Sequence, residues 1–582
     1  MSVSPKPAHD KYLLALNCGS SSLKLKLFAL CLQEAPSQRR PRRLSSTSSL
    51  SGVPHPASTD LPPDVELLIA GVVSLKGEEG HRTATLKWSR LPTGSTLSQQ
   101  DKIMLQEANI SSTKFLEEVT DQLAKVIENQ ASAAPVGRAS SVDLRKNIHF
   151  ITHRVVHGAN LVQPLVIAHD SNADAHLRKL EDLETLAPLH NIVSTMVIKS
   201  CLRLLPKATN LCLFDTSFHA TIPEEIRTYP VWQPKAAELP GGLELRKWGF
   251  HGLSYSSVLR QVSAFLERPA SALNIIVAHL GSGASICAIR AGKSLDTTMG
   301  LTPLEGLPGS TRSGSVDPAL SQHLKPDTAR HGGKANESGI ATAAAAVSHE
   351  GVDLSELGRV TVPTSSGEGA VKIPWAEWEL NSKSGWLAVA GTRDFAEIVA
   401  RKEGKVECSD EERRAAKLAF DIFVDRIISY LGAYSLKLAA YGAGHLDAIV
   451  FSGGIGEHST ELRLALAAKL EHTALALRSA DGGHYGSDKV GGVCRILGPA
   501  MRFSSEEGSG SSPRPGHITP GSPLAHSTPG SPRLQSAPFA GRWGVPWLVC
   551  ETDEEVECVR LAMPTIRASW ASRKTSEEEV VI

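Results

Sequence analysis

The sequence predicts an α/β protein built from two repeated units that face one another across a cleft. Buried apolar strands alternate with helical segments along most of the 582 residues. A strand, a small-residue turn and a second strand occur twice, near residues 12–30 and 272–289, about 260 residues apart. The chain is also too long for one compact core, so about two domains are expected.

The elements follow in order. Residues 12–16 are an apolar run that ends in Asn17-Cys18-Gly19-Ser20-Ser21-Ser22. Leu23, Leu25 and Leu27 then alternate with Lys24 and Lys26, the period of two that predicts a strand, so 12–30 reads as a hairpin. Residues 34–63, rich in Ser, Pro and Arg, bury too little to order and read as an inserted flexible loop. Strands are expected at 65–75 and 83–88. Phe115, Val119, Leu123 and Ile127 recur at helical spacing, which predicts a helix over 112–130. Residues 148–156 read as a buried strand and 174–205 as mainly helical. In the second half, strands at 272–279 and 284–289 flank Gly281-Ser282-Gly283. Residues 410–441 form the longest helical pattern, whose alanines and Gly432 suit close packing. A buried strand at 446–451 runs into a glycine-rich turn, Ser452-Gly453-Gly454-Ile455-Gly456-Glu457. Residues 503–540 are low in complexity and read as a disordered insertion, after which a strand at 547–551 and a helix at 553–563 close the fold.

Composition narrows the function classes. Lysine plus arginine equals aspartate plus glutamate at 61 each, so no global field draws the chain to nucleic acid or an anionic membrane. Any anionic ligand must be held by local groups. The nine cysteines are scattered and odd in number, without a Cys-x-x-Cys pair, which argues against a disulfide framework or a zinc site. The start lacks the apolar core of a signal peptide, and no run of about 18 apolar residues could span a bilayer. A cytoplasmic protein is expected.

The glycine-rich turns stand at the C-terminal ends of buried strands, where backbone N–H groups can approach phosphate oxygens. None is a P-loop: Gly292-Lys293-Ser294 resembles its end, but Cys287 stands where the first glycine belongs. Gly281-Ser282-Gly283 is followed by a strand where a dinucleotide fingerprint needs a helix. His153 and His157 have metalloprotease spacing, but on a strand four residues span about 13 Å, too far for one metal. Arg154 between them is a guanidinium inside a strand, which calls for an anionic ligand or a structural ion pair. His251 is enclosed by Gly249-Phe250 and Gly252, Arg312 ends a long loop, and Asp215 ends a strand. Thr552-Asp553-Glu554-Glu555 opens a helix, where capping is the simplest role for acids and threonine.

These residues resemble the acetate kinase family. The resemblance is carried by Asn17-Cys-Gly-Ser-Ser-Ser-Leu-Lys24, His153-Arg-Val-Val-His-Gly158, Leu186-Ala-Pro-Leu-His-Asn191, Phe214-Asp-Thr-Ser-Phe-His219 and Gly249-Phe-His-Gly252. His279-Leu-Gly-Ser-Gly-Ala-Ser285, Thr302-Pro-Leu-Glu-Gly306 with Thr311-Arg-Ser-Gly314, Gly454-Ile-Gly-Glu457 and Thr552-Asp-Glu-Glu555 continue it in the family's order. It spans the chain apart from insertions near 34–63, 130–145, 324–380 and 503–540. The resemblance implies an α/β fold of duplicated actin-like ATPase (ribonuclease H-like) domains around an interdomain nucleotide cleft. The first would cover 1–217 and be completed by a C-terminal helix at 555–582. The second, over 218–554, would bind nucleotide and dimerise.

The implied activity is reversible, Mg²⁺-dependent phosphoryl transfer between ATP and acetate, with Mn²⁺ as a substitute metal. Carried over by motif, Asn17 and Glu554 would position the metal and Lys24 would lie near the phosphates. Arg154 would hold the acetate carboxylate, with Val156, Leu189 and Pro303 around its methyl group. His190 and Asp215 would belong to the active site, and His251 and Arg312 would stabilise the transition state. His279, Leu280, Gly281, Ser282, Gly283, Asp394 with its neighbours, Gly454, Ile455, Gly456, Glu457 and His458 would contact the nucleotide. A homodimer and a functional link to an acetyl phosphate-forming or -consuming enzyme (phosphoketolase or phosphotransacetylase) are also implied.

Four residues depart from the family pattern: Ser282, Ala396 and His458 on the nucleotide side, and Tyr255 where a second histidine is common. The nucleotide-side changes keep a pyrophosphate-using kinase open, and propionate and butyrate kinases stay open because one extra methylene in a pocket is worth only about 1–3 kcal/mol. From a different class, a catalytically inactive nucleotide-binding regulator is the alternative. Arg42-Arg43-Leu44-Ser45 and the Ser-Pro or Thr-Pro pairs at Ser512, Thr519, Ser522, Thr528 and Ser531 are phosphorylation candidates, with solvated filler as the alternative.

Overall fold

The computed structural model describes residues 11–19, 22–32, 61–76, 83–90, 100–106, 109, 112–131, 144–185, 187–232, 244–324, 359–365, 370–477, 489–490, 493–496 and 544–580. The loop expected at 34–63 falls outside the described residues except for 61–63. The stretch 503–540 and the six phosphorylation candidates also lie outside them.

Two sheets carry the fold. In the first, β1 (Tyr12–Cys18), β2 (Ser22–Leu30) and β3 (Val65–Lys76) are antiparallel neighbours. β1 then pairs in parallel with β6 (Ile148–Val155), which pairs in parallel with β8 (Thr209–Phe214). β4 (Thr83–Arg90) and β5 (Gln100–Leu105) extend one edge and the short β7 (Leu165–Ile167) the other. In the second sheet β9 (Ile275–Leu280), β10 (Ala284–Arg290) and β11 (Lys293–Thr297) are antiparallel, and β14 (Ala448–Ser452) and β17 (Trp547–Cys550) continue from β9 in parallel. The order β3-β2-β1-β6-β8 is thus repeated as β11-β10-β9-β14-β17. The two hairpins visible in the sequence are one corner of this larger repeat.

Strand chemistry explains the sheets. On β2, Leu23, Leu25 and Leu27 are buried, and the lysines between them are turned toward solvent or partly covered. β1, β9 and β14 are buried almost throughout, because parallel neighbours are connected by crossovers that cover both faces. Helix α1 (Thr113–Ala131) lies in the crossover from the first hairpin side to β6, and α2 (Pro188–Leu204) in that from β6 to β8. The helices that follow the last strand of each repeat are exchanged. α3 (Gly252–Phe265), after β8, buries Tyr255, Val258, Leu259 and Val262 with Ile275, Val277, Val450 and Leu548 of the second sheet. The C-terminal helix, Glu554–Val580, buries Val556, Val559, Ala562, Met563 and Ile566 with Leu13, Phe28, Phe150 and Leu211 of the first.

Three expectations are corrected. The glycine-rich stretch after β14 is a helix, Gly453–His458, not a turn. Gly453 turns at φ +73°, and a Cβ there would meet the Leu280 carbonyl oxygen at 2.7 Å, so glycine lets this helix start against β9. The long helix, Asp410–Ala440, closes its N-terminus with a capping box between Ser409 and Glu412, and its buried face includes Ala416 and Ala419. Gly432 is not part of that packing, since nothing lies within 4 Å of where its Cβ would stand. The C-terminal helix does not stop at Met563 but continues past Pro564 to Val580. Burial of Ile566, the Arg567–Asp64 ion pair and Lys11 over the Trp570 ring offset the interior proline. β5 and β7 carry no pattern strong enough to have been read from the sequence.

Candidate active site

A cavity of about 390 Å³ opens where the strand ends of the two sheets face each other. Lys24 reaches it from β2, Arg154 from β6, and Glu554 with Thr552 from the start of the C-terminal helix. The opposite wall is His279, Gly281, Ser282 and Gly283 around the β9–β10 turn, with Gly453, Gly454 and Ile455 of the glycine-rich helix. Trp386, Arg393 and Phe395 border one end, and His251 the other wall near Arg154.

Arg154 is the centre of an ion-pair network. Its Nε and Nη2 donate to Asp215 at 3.2 and 2.7 Å, and its Nη1 donates to Glu554 Oε2 at 2.7 Å and to Asn17 Oδ1 at 3.3 Å. Asn17 Nδ2 in turn donates to Glu554 and Glu555, each at 2.7 Å, and Ser254 Oγ donates to Glu554 Oε1 at 2.5 Å. Burial opposes the Arg154 charge, but the Asp215 and Glu554 carboxylates outweigh it and hold its pKa above the usual value. Burial likewise opposes ionisation of Glu554, yet Arg154, His279 and Lys24 bring its pKa down to about 2. Burial pushes Asp215 up, while the Arg154 fork pulls it back. The sequence left an anion and an ion pair open for Arg154. The fold supplies the ion pair and leaves an outer Nη2 N–H for a ligand.

Two histidines, His251 and His279, line the cavity and a third, His190, stands behind Arg312, all neutral near pH 7. Burial, with the nearby Arg312 and Arg154, lowers His190 to about 3, and burial lowers His279 to about 4 and His251 well below its ordinary value. His251 caps α3 in the left-handed region, φ +59°, a conformation uncommon for a non-glycine residue. Its Nδ1 lies 2.8 Å from Ser285 Oγ, which lies 2.5 Å from the Tyr255 hydroxyl. That leaves Nε2 on the side of Gly283, 3.8 Å from where a Cβ would be. Arg312 approaches the same glycine more closely, with Nη1 at 3.1 Å from that position, and its Nη2 donates to His190 Nε2 at 2.7 Å. Burial lowers Arg312 to about 10, so it keeps its charge at neutral pH.

The remaining sequence candidates divide. Asp215 and Arg312 stand behind the lining, Asp215 against Arg154 and Arg312 against Gly283, and His190 stands behind Arg312. Val156 is partly buried against Ala159, Trp248, Phe250 and Met299, and Pro303 is buried nearby in sequence to Leu301 of the same group. Leu189 lies on the first turn of α2. Several nucleotide-side residues have other partners. Asp394 caps a helix by accepting the Ala396 N–H at 2.8 Å, and its neighbours Arg393 and Phe395 face the cavity instead. Leu280 is buried in the core of the second sheet, and Gly456 packs beneath it. Glu457 accepts from the Gly453 and Thr552 N–H groups at 2.9 and 3.1 Å, which fastens the glycine-rich helix to the start of the C-terminal one. His458 points to solvent, 79% exposed. Of the four residues at 552–555, only Asp553 serves as the cap, accepting from the Val556 N–H at 3.0 Å.

Sequence reasoning missed Trp386 in the cavity wall, and Ser254 and Ser285 behind it. The two serines have no local signal, since a serine in a helix or strand says nothing of its partner.

A profile of the acetokinase family matches residues 93–338 and 372–491. The chain belongs to the acetokinase family. It is 35% identical over 462 residues to a probable acetate kinase of Neurospora crassa, covering 78% of this chain and 79% of that protein. An acetate kinase of Streptomyces coelicolor is 34% identical over 438 residues, 75% of this chain and 86% of the relative. Among solved structures, Porphyromonas gingivalis acetate kinase aligns over 96% of this chain and all of its own, with TM-score 0.54 and 24% identity. A propionate kinase from Francisella tularensis aligns over 95% and 98% with TM-score 0.57 and 23% identity. At that identity the two structures show the shared fold, duplicated actin-like ATPase domains. The family profile passes over residues 339–371, which in this chain hold β12 (Arg359–Pro363) and the start of its hairpin partner β13 (Ala370–Pro374).

Proposed function

We propose that the protein transfers the terminal phosphoryl group of ATP to acetate, reversibly, giving acetyl phosphate and ADP. The observation that carries this reading is that Arg154 and His251 line one cavity between the two sheets while Arg312 stands against its Gly283 wall. Family membership and relatives described as acetate kinases support it.

The chemistry suits the residues. Acetate is ionised near neutral pH, so an oxygen can attack the γ-phosphorus without a general base, while the bond to the bridging oxygen breaks and ADP leaves. The demand on the protein is to bring two anions together and neutralise charge on the equatorial oxygens. Arg312 offers a planar cationic donor and His251 a neutral N–H donor, which suit that charge. Arg154 offers its outer N–H to the carboxylate. Asp215 is engaged by Arg154 on both oxygens, so it orients the guanidinium and takes no proton. Lys24, the Gly281–Gly283 turn and the N-terminus of the glycine-rich helix face the phosphates, and Trp386 and Phe395 offer apolar faces to the base.

Mg²⁺ fits this donor set. Glu554 is an ionised oxygen donor on the cavity wall whose Oε1 receives only a serine hydroxyl, and Asn17 beside it adds an amide oxygen. Mg²⁺ commonly takes one or two protein oxygens and completes its shell with phosphates and water. Bound there, it would supply charge neutralisation on the phosphates.

The decisive assay traps acetyl phosphate as its hydroxamate. It is run with ATP, GTP and pyrophosphate, and with acetate, propionate and butyrate. ATP with acetate should give the highest kcat/KM; no product with any pairing would leave the inactive regulator standing. A homodimer is supported by Leu418 and Leu436, exposed about five turns apart on one face of the long helix. Light scattering at micromolar concentration checks it. The free cysteines suit a reducing, cytoplasmic setting, and the product implies a partner enzyme that makes or uses acetyl phosphate. No described helix is long and apolar enough to cross a membrane.

A further inference from the structure

The hairpin β12–β13 and the helix that follows it, α4 (Trp375–Ser382), belong to neither main sheet, yet they touch both sides of the site. Toward the first sheet, Val360, Val362, Ile373, Trp375 and Trp378 are buried in one apolar cluster with Ile192 and Val193 of α2. Those two residues are within one turn of His190 on the same helix. Near the tip of the hairpin, the Ser365 N–H donates to Glu184 Oε2 at 3.1 Å, and Lys199 Nζ donates to the Ser365 carbonyl at 3.0 Å.

The other end of the segment is fastened to the loop of Arg312. Thr311 Oγ1 donates to the Asn381 carbonyl at 2.7 Å, the Ser313 N–H to the Leu380 carbonyl at 3.0 Å, and the Ser384 N–H to the Thr311 carbonyl at 2.9 Å. These bonds flank Arg312 on both sides. Gly385, at φ +64°, passes so near this loop that a Cβ would stand 2.0 Å from the Gly309 carbonyl oxygen. One continuous segment therefore grips the helix of His190 and the loop of Arg312, whose side chains meet at 2.7 Å.

We infer that β12, β13 and α4 form a strap that sets the spacing of His190 and Arg312, with Val362, Ile373 and Trp378 as positioning residues for the transfer. The apolar cluster supplies the grip and the backbone hydrogen bonds supply the register. Catalytic groups tolerate little displacement, about 1 Å costing on the order of 10²-fold in rate, so loosening the grip is felt at the phosphorus. This inference rests on the proposed transfer for the roles of His190 and Arg312.

A double-mutant cycle tests it. Val362→Ala and Ile373→Val are each made in the unaltered protein and in His190→Ala, and kcat, both KM values and Tm are measured. Val362→Ala should lower kcat about tenfold, with the nucleotide KM unchanged. In the His190→Ala background the same change should cost less than twofold, because the spacing it disturbs no longer matters. Equal factors in both backgrounds, or undiminished kcat in both Val362→Ala and Ile373→Val, would overturn the strap while leaving the transfer reading intact. Undiminished kcat in His190→Ala alone would instead remove the role given to that histidine, and the strap with it. If Val362→Ala does not fold, Ser365→Pro, which removes the N–H given to Glu184, goes through the same cycle and is read the same way.

Discussion

Arg312 donates through Nη2 to Nε2 of His190 at 2.7 Å, although the arginine follows β11 of the second sheet and the histidine opens a helix packed on the first. A neutral His190 accepts this bond, which fixes the guanidinium without consuming its charge. Its Nη1 lies against Gly283 of the cavity wall.

Arg312→Ala should therefore lower kcat by at least about 10²-fold, the cost typical of losing one preorganised donor to developing charge. The fold should persist, as read by circular dichroism and Tm. Near-normal turnover would remove the mechanism.

Gly283→Ala tests the same charge from the other side. Its Cβ would lie 3.1 Å from Arg312 Nη1, so the guanidinium must retreat by a few tenths of an ångström. A drop of about tenfold in kcat with little change in Tm is expected, and unchanged kcat would place Arg312 away from the reacting phosphoryl group.

Arg154→Ala should act on stability as well as on acetate. It leaves the Asp215 and Glu554 carboxylates facing each other without their cation, and breaking one side of such a buried network costs roughly 3–5 kcal/mol. Urea unfolding should show this loss, and KM for acetate should rise more than KM for ATP. A variant with unchanged stability would show that the network is not held as described.

Acid sensitivity should begin with buried histidines. Burial lowers His157 from 6.5 to about 3, its ring packed edge-on against Trp248 and Phe250. The folded pKa is depressed, so the unfolded chain binds the proton first. Stability from this group is complete above pH 6.5 and is lost as pH falls toward 3, at about 1.4 kcal/mol per pH unit. Between pH 7 and 5 the unaltered protein should lose about 2 kcal/mol more than His157→Phe, which cannot titrate. Equal losses in urea melts at the two pH values would contradict it.

The sequence by itself determined much of this protein. The alternation in 23–27, the apolar runs at 12–16 and 446–451 and the period of the long helix specify elements by local burial, and the ordered motifs point to the family. It could not decide which motif residues meet. Asp394 and Phe395 are neighbours in sequence, yet the first caps a helix and the second faces the cavity, because a helix start turns successive side chains in different directions. Glu554 and Glu457 both looked like ligand contacts, and only the packing of the C-terminal helix onto the first sheet sends one to Arg154 and the other to the Thr552 backbone. The bond from Arg312 to His190 joins residues 122 positions apart. Such long-range pairings carry no periodic signal, because they are set by how two sheets and an exchanged pair of helices stack, not by any local preference of the chain.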